Sequence, residues 1–571
     1  MERWLLFLIL GCCATPTMFG GAKISPDLPL GRRSDVVDVI VQFQAPVTAA
    51  YHQKVIDRGG QLKQALEVVR GGLYSMPAGM LEDLAQDPDV NYISPDRTVR
   101  GMLDYANPTI NANIALQYGF DGTGVGVAVI DSGIVPILDL MQTGGKTSRI
   151  VYNQSFVSGT TSTYDDYGHG THVAGIVAGN AAYSSGPGYT HTFRGIAPKA
   201  NLINLRVLDA AGNGTDSAVI AAIERAISLK DQYNIRVINL SLGRPVFESY
   251  TKDPLCQAVE QAWAAGIVVV AAAGNSGRDD SQGTQGYGTI SAPGNDPAVI
   301  TVGAMKDMGT VTRGDDLIAS YSSKGPTLID HIVKPDIVAP GNRIISLQAT
   351  KSTLETKSSV NFIMNSYYEM SGSKSYSGIY YRLSGTSMAA PMVSGAAALL
   401  LQKTPSLTPD VVKARLMKTA TKSFPSYSVA IDPVTGNSYQ SQYDIFTIGA
   451  GYLDAWAALN NADLLPNGTG SAISPTATFD SASGTVHVGN TANSGVWGNS
   501  AVWGMNVVWG SSVFVGGGSA VWGTNVVWGA NVVWGSSGTQ GFNVVWGGNA
   551  VWGSTTNESS EGLNQLINGE N

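Results

Sequence analysis

Cysteine is almost missing: the chain has 571 residues and three cysteines, Cys12, Cys13 and Cys256. The first two sit in an apolar run from Trp4 to Ala14, preceded by Arg3 and followed by the small residues Gly20, Gly21 and Ala22. That is the pattern of an export signal with its cleavage site, and it implies a secreted protein. Removal of residues 1–22 leaves Cys256 alone, so no intrachain disulfide is expected even in an oxidising compartment. The run is too short to span a membrane. A second reading, lipid attachment at Cys12, rests on Ile9-Leu10-Gly11-Cys12, where Leu10 fits a lipoprotein box poorly. Charge is also scarce, at 14% of residues with a net −8 and no sizeable basic run. Nucleic acid and anionic membrane are therefore excluded as main partners. A hydrophobic content of 43% permits a large core and excludes global disorder.

What is present changes in kind along the chain. Residues 23–34 read as a polar linker. Residues 35–103 read as a small α+β domain, opening on the strand Val37 to Phe43 and closing on Val90-Asn91-Tyr92-Ile93. From 104 to 462 apolar strands alternate with helical patterns. The strands include Val125 to Ile130, Val237 to Leu240 and Ile267 to Val270; the helices include Ser217 to Leu229 and Pro254 to Ala265. Such alternation predicts a doubly wound, mostly parallel α/β sheet with helices on both faces, whose ligands bind beyond the carboxyl ends of the strands. Cys256 falls in a helix with Asp253 as N-cap and Pro254 at its first position, and reads as a buried structural thiol. Residues 343–383 read as an inserted surface loop or excursion and 463–495 as a linker. Eight of the eleven tryptophans then fall between Trp497 and Trp552, mostly as Val-Trp-Gly every six residues. An even period keeps equivalent side chains on one face of an extended chain, so residues 496–553 are compatible with a β-solenoid or stacked hairpins. A low-complexity tail without a fixed fold is the competing reading. Aromatic rows also stack on sugars, which suggests carbohydrate or cell-surface contact. Residues 554–571 form a polar tail.

Four short motifs carry candidate chemistry. In Ser384-Gly385-Thr386-Ser387-Met388-Ala389-Ala390-Pro391, Gly385 permits a sharp turn and Ser387 opens an apolar helix. A hydroxyl there has free backbone N–H groups beside it, suited to a developing oxyanion, although a serine helix cap is the plainer reading of Gly-x-Ser alone. Asp131 follows the strand Val127 to Ile130 and precedes a Ser-Gly turn, so its carboxylate lies where α/β sites form. His169 starts the small-residue helix of Gly168-His169-Gly170-Thr171-His172-Val173-Ala174-Gly175. His169 and His172 are spaced like zinc ligands. With six histidines in all, Cys256 isolated and no neighbouring glutamate, His172 reads instead as a structural histidine. Asn275 ends a further buried strand in Ala271-Ala272-Ala273-Gly274-Asn275, where its amide could donate to an oxyanion or simply make a turn.

Taken in order, Asp131, His169, Asn275 and Ser387 resemble the subtilisin-like serine peptidases, whose Asp-Ser-Gly, His-Gly-Thr-His-Val-Ala-Gly, Ala-Ala-Gly-Asn and Gly-Thr-Ser-Met-Ala-Ala-Pro fragments all appear. The resemblance extends over residues 35–462, including Lys334-Pro335-Asp336 and Gly449-Ala450-Gly451-Tyr452. It implies a secreted endopeptidase acting on polypeptide substrates. Asp131, His169 and Ser387 would form its triad, with Asn275 in the oxyanion hole and Ser241, Leu242 and Gly243 binding the substrate backbone. It further implies that residues 35–103 are an inhibitory propeptide, the chain's own intramolecular inhibitor, released by self-cleavage near residues 100–106. No acidic residue adjoins Ser241-Leu242-Gly243 or directly follows Asn275, so an apolar or aromatic P1 is expected. No cofactor is required for the chemistry. Calcium cannot be carried over, because Asn180 to Arg194 does not reproduce the family's usual calcium loop; Ile137-Leu138-Asp139-Leu140 also replaces a common His-Pro-Asp-Leu. The rival reading is a surface adhesion protein that presents the tryptophan repeats on a silent peptidase scaffold. An α/β-hydrolase would instead carry Gly-x-Ser-x-Gly ahead of its acid and histidine.

Overall fold

The computed structural model describes residues 23–25, 28, 35–96, 98–101, 109–142, 144–281, 283–432, 435–462, 471–480, 485–489, 513–514, 566, 569 and 570. The expected signal segment and nearly all of the Val-Trp-Gly array lie outside them.

Near the N-terminus four antiparallel strands pair in the order Gln61–Leu66, Gly71–Pro77, Val36–Phe43, Val90–Pro95. The period of two along Val36–Phe43 sends Val39, Val41 and Phe43 into a core shared with Leu81 and Leu84 of the helix Leu81–Gln86. Ile40, on the other face, joins the much larger core of the following unit. Polar contacts complete this junction: Asp96 accepts from the Ser217 N–H at 2.7 Å and from its hydroxyl at 2.6 Å, and Tyr92 donates to Glu248.

The larger unit holds an eight-stranded sheet. Its main path runs Leu317–Ile318, Ile300–Lys306, Val268–Ala272, Ile235–Leu240, Gly126–Asp131, Asn201–Arg206, Ile150–Ser155, with Ile337–Pro340 also pairing to Ile300–Lys306. Every pairing is parallel except that of the short edge strand Leu317–Ile318. Continuous β-branched runs explain this, because both faces are covered. The helices His169–Ala178 and Thr386–Lys403 pack together, with the latter lying across the central strands, while Asp216–Ser228 and Pro254–Ala264 pair with each other. Successive strands are added on opposite sides of Gly126–Asp131, so Asp131 ends the strand at the topological switch point.

Local signals worked as expected at Pro254–Ala264. Asp253 caps the helix by accepting from the Leu255 N–H, and Pro254 begins it. Cys256 is fully buried, and that burial raises its thiol pKa well above the ordinary value. Two stretches differ from expectation. Residues 343–383 are not a plain surface loop: Ile344–Leu347, Tyr376–Leu383 and Phe362–Met364 form a sheet. Buried Tyr368, Tyr380 and Tyr381 anchor it together with the aliphatic Ile344, Leu347, Leu354, Ile363 and Leu383. Within 463–495, expected as a linker, Thr476–Asp480 pairs with Thr485–Gly489, and Ser474 is buried against the body. Ser474 joins a buried cluster in which Asp336 bridges Lys334 at 2.7 Å and Lys413 at 3.1 Å.

Candidate active site

Asp131 is buried at the end of its strand, and one carboxylate oxygen does the visible work. Oδ1 accepts from the Ser132 N–H at 2.7 Å and lies 2.5 Å from His169 Nδ1. Oδ2 has no partner among the described residues. His169 reaches Asp131 because its helix begins hard against the Asp131 turn. A Cβ on Gly170 would lie 2.2 Å from the Gly133 carbonyl oxygen, so any side chain at 170 would force the two elements apart. The glycine in His-Gly-Thr is thus a packing requirement of the Asp–His pair.

A second carboxylate holds this corner, and sequence reasoning missed it. Asp165 is fully buried and accepts from the Gly168 N–H at 2.7 Å, the Thr171 N–H at 2.8 Å and the Ser132 hydroxyl at 2.7 Å. Burial pushes its carboxyl above the usual range, opposed by these donors. It satisfies first-turn N–H groups of the histidine helix and ties that helix to the residue after Asp131. His172 behaves as a structural histidine. Its Nε2 lies 3.3 Å from the Tyr381 carbonyl oxygen, and burial depresses its pKa to about 3, so it stays neutral.

Ser387 is buried in the first turn of Thr386–Lys403, with Gly385 before it at φ 135°. Its hydroxyl donates to the Ser241 carbonyl at 3.1 Å, and the Ser241 hydroxyl donates back to the Ser387 carbonyl at 2.6 Å. The second bond exists because of Pro391. In a regular helix the N–H four residues on would donate to the Ser387 carbonyl, but proline has none. Ser241 supplies the missing donor, and Asn239 in turn donates to the Ser241 hydroxyl at 2.9 Å. A proline four residues after a serine, inside an otherwise apolar helix, was the available sequence signal for this arrangement.

Asn275 is brought to the same turn. Its Oδ1 accepts from the Thr386 N–H at 2.8 Å and the Thr386 hydroxyl at 3.2 Å. That fixes the amide orientation and leaves Nδ2 as a donor, next to a serine whose own N–H lies in a helix's first turn. Leu242–Gly243 pairs antiparallel with Arg100 and Gly101, while Asn213–Thr215 pairs with Thr98–Arg100 from the other side. The chain's own residues 98–101 are therefore the central strand of a three-stranded sheet at the site. This is how an extended peptide docks by strand addition. Of the residues expected at the site, Asp131 and His169 are joined directly, Ser387 is bonded to Ser241, Asn275 is bonded to the neighbouring Thr386, and Leu242 and Gly243 form the edge strand that follows Ser241. Among the described residues no group of three or more His, Cys, Asp or Glu is arranged to hold a metal ion.

Residues 122–449 match the Subtilase family. The chain is 40% identical over 356 residues to the serine protease AprX of Bacillus subtilis (strain 168), covering 60% of this chain and 72% of that protein. It is 34% identical over 400 residues to subtilisin E of the same organism, covering 68% and 87%. It is 35% identical over 345 residues to an alkaline protease of Alkalihalobacillus alcalophilus, covering 60% and 71%.

Proposed function

The chain belongs to the subtilase family and is a subtilisin-like serine endopeptidase; from that premise we propose that Ser387 is its nucleophile, His169 its general base and acid, Asp131 the carboxylate that orients His169, and Asn275 a donor to the oxyanion. The observation that supports the assignment is the 2.5 Å Asp131–His169 contact at the start of one helix, together with the Ser387–Ser241 and Asn275–Thr386 bonds at the start of a second helix that packs against the first. Ser387 Oγ adds to the peptide carbonyl carbon while His169 takes its proton. Asn275 Nδ2 and the Ser387 N–H meet the oxyanion. Collapse expels the amine, protonated by His169, and leaves an acyl ester that water then cleaves by the same steps. Replacing Asn275 by alanine is expected to lower kcat by about 10²–10³-fold with KM little changed, since the amide acts on charge that exists only in the transition state. Steady-state kinetics on a peptide anilide measures this.

We further propose that the protein is exported, that residues 35–103 inhibit it until cut, and that the tryptophan array contacts cell-surface carbohydrate. The inhibitory role is supported by residues 98–101 filling the strand position between Asn213–Thr215 and Leu242–Gly243. The cut is proposed near residues 100–106, next to this strand. Mass spectrometry of purified full-length protein incubated with casein tests these points together. Serine-dependent cuts after apolar or aromatic residues, and a new N-terminus near residues 100–106, are expected. Cuts mainly after Arg or Lys would overturn the specificity, and no proteolysis after loss of residues 35–103 would overturn the function.

A further inference from the structure

Three residues from the far end of the chain sit in the catalytic unit. Leu566 is buried in the main core, and its carbonyl accepts from the Ser384 N–H at 3.2 Å, three residues before Ser387. Gly569 has φ +59°, and a Cβ there would lie 2.4 Å from Ser384 Oγ and 3.0 Å from Asn342 Oδ1. Glu570 is 1% exposed although it is a charged residue.

The Glu570 surroundings form a built carboxylate site. Oε1 accepts from Arg278 Nη2 at 2.7 Å, from the Ser320 N–H at 2.9 Å and from the Ser320 hydroxyl; Oε2 lies 3.2 Å from Lys306 Nζ. Asn342 reads the backbone in both directions, donating to the Glu570 carbonyl at 2.9 Å and accepting from its N–H at 2.9 Å. Arg278 is further held by Asp432 at 2.6 Å. Backbone, side-chain charge and the lack of a side chain at 569 are thus all matched to one short segment.

We propose that Leu566, Gly569 and Glu570 act as a clasp, received by the carboxylate site of Arg278, Lys306, Ser320 and Asn342, which keeps the tryptophan-rich tail on the enzyme even after the tail is cut. The other end of that tail is already fastened. Ser474 is buried against Asp336 and Lys413, Ala477 donates to the His331 carbonyl at 2.7 Å, and Val513–Phe514 pairs with Thr485–Gly489. Described residues on both sides of positions 515–565 are therefore held on the same body.

The test uses the full chain with Ser387→Ala, to prevent self-cleavage, and a recognition site for a sequence-specific protease inserted at Gly516–Gly518. After cutting, the C-terminal fragment is expected to co-elute with the body on size exclusion. With Glu570→Ala, or separately with Gly569→Ala, it is expected to elute alone. A synthetic peptide of residues 562–571 in large excess should displace the fragment from the otherwise unaltered protein, and the same peptide with alanine for Glu570 should not. Those peptide arms need no folded variant. A fragment that leaves the parent protein on cutting overturns the clasp. So does one retained equally with Glu570→Ala, or one that the peptide cannot displace.

Discussion

Ser387→Ala is expected to abolish peptide hydrolysis, lowering kcat by on the order of 10⁶, the magnitude known for subtilisin rather than one derived from this geometry. The hydroxyl is the only atom lost, and its loss removes the covalent route entirely. The surrounding structure should hold. Alanine is a better helix former than serine, and the bond from the Ser241 hydroxyl ends on the Ser387 backbone carbonyl, which the substitution keeps. The lost bond to the Ser241 carbonyl is one of modest worth, about 0.5–1.5 kcal/mol. A protein with unchanged circular dichroism and no turnover is therefore the expected pair of results. A second consequence follows in the same sample. Residues 35–103 should remain attached, because the catalyst that removes them is gone. If the purified variant still lost them without another protease present, self-processing would be wrong. If it hydrolysed casein at a comparable rate, the nucleophile assignment would be wrong.

How much of this was legible in the sequence differs by the range of the forces involved. The parallel sheet could be read because strands buried on both faces are written as unbroken apolar runs such as Val127 to Ile130. The Asp253 cap and the buried Cys256 could be read because a cap and its helix are neighbours in sequence. Asp165 could not, since Asp165-Asp166-Tyr167 has no pattern until the fold brings Ser132, Gly168 and Thr171 around it. The sheet within 343–383 is harder to read, because its aliphatic anchors such as Leu347, Leu354 and Ile363 are scattered among polar residues and three further buried positions are tyrosines, which look polar in a scan and bury their rings all the same. Glu570 is the extreme case. It sits in an acidic, asparagine-rich tail, and its partner Arg278 lies 292 residues away in sequence. Nothing local announces a long-range ion pair.

Asp131→Asn separates the two tasks proposed for this carboxylate, namely holding the histidine tautomer and stabilising the imidazolium. Here both the Ser132 N–H and His169 Nδ1 meet Oδ1, while Oδ2 has no partner among the described residues. An asparagine can therefore keep its carbonyl oxygen where Oδ1 stands and place its NH₂ where Oδ2 stands. The His169 tautomer with hydrogen on Nδ1 is then retained, and what disappears is the negative charge. For charges about 4 Å apart near a protein surface that attraction is about 4 kcal/mol, which corresponds to a fall of about 10³ in kcat. Asp131→Ala removes the tautomer hold as well, and a loss nearer 10⁴ is expected, as for the acid of subtilisin. The order matters more than either figure. If the asparagine variant is as slow as the alanine variant, the amide has turned its NH₂ toward His169 Nδ1 and reversed the tautomer. Steady-state kinetics on both variants, with the imidazole N–H resonance of His169 followed by NMR, decides between the two. Retention of that N–H at Nδ1 in Asp131→Asn, together with the smaller loss of rate, is the expected outcome.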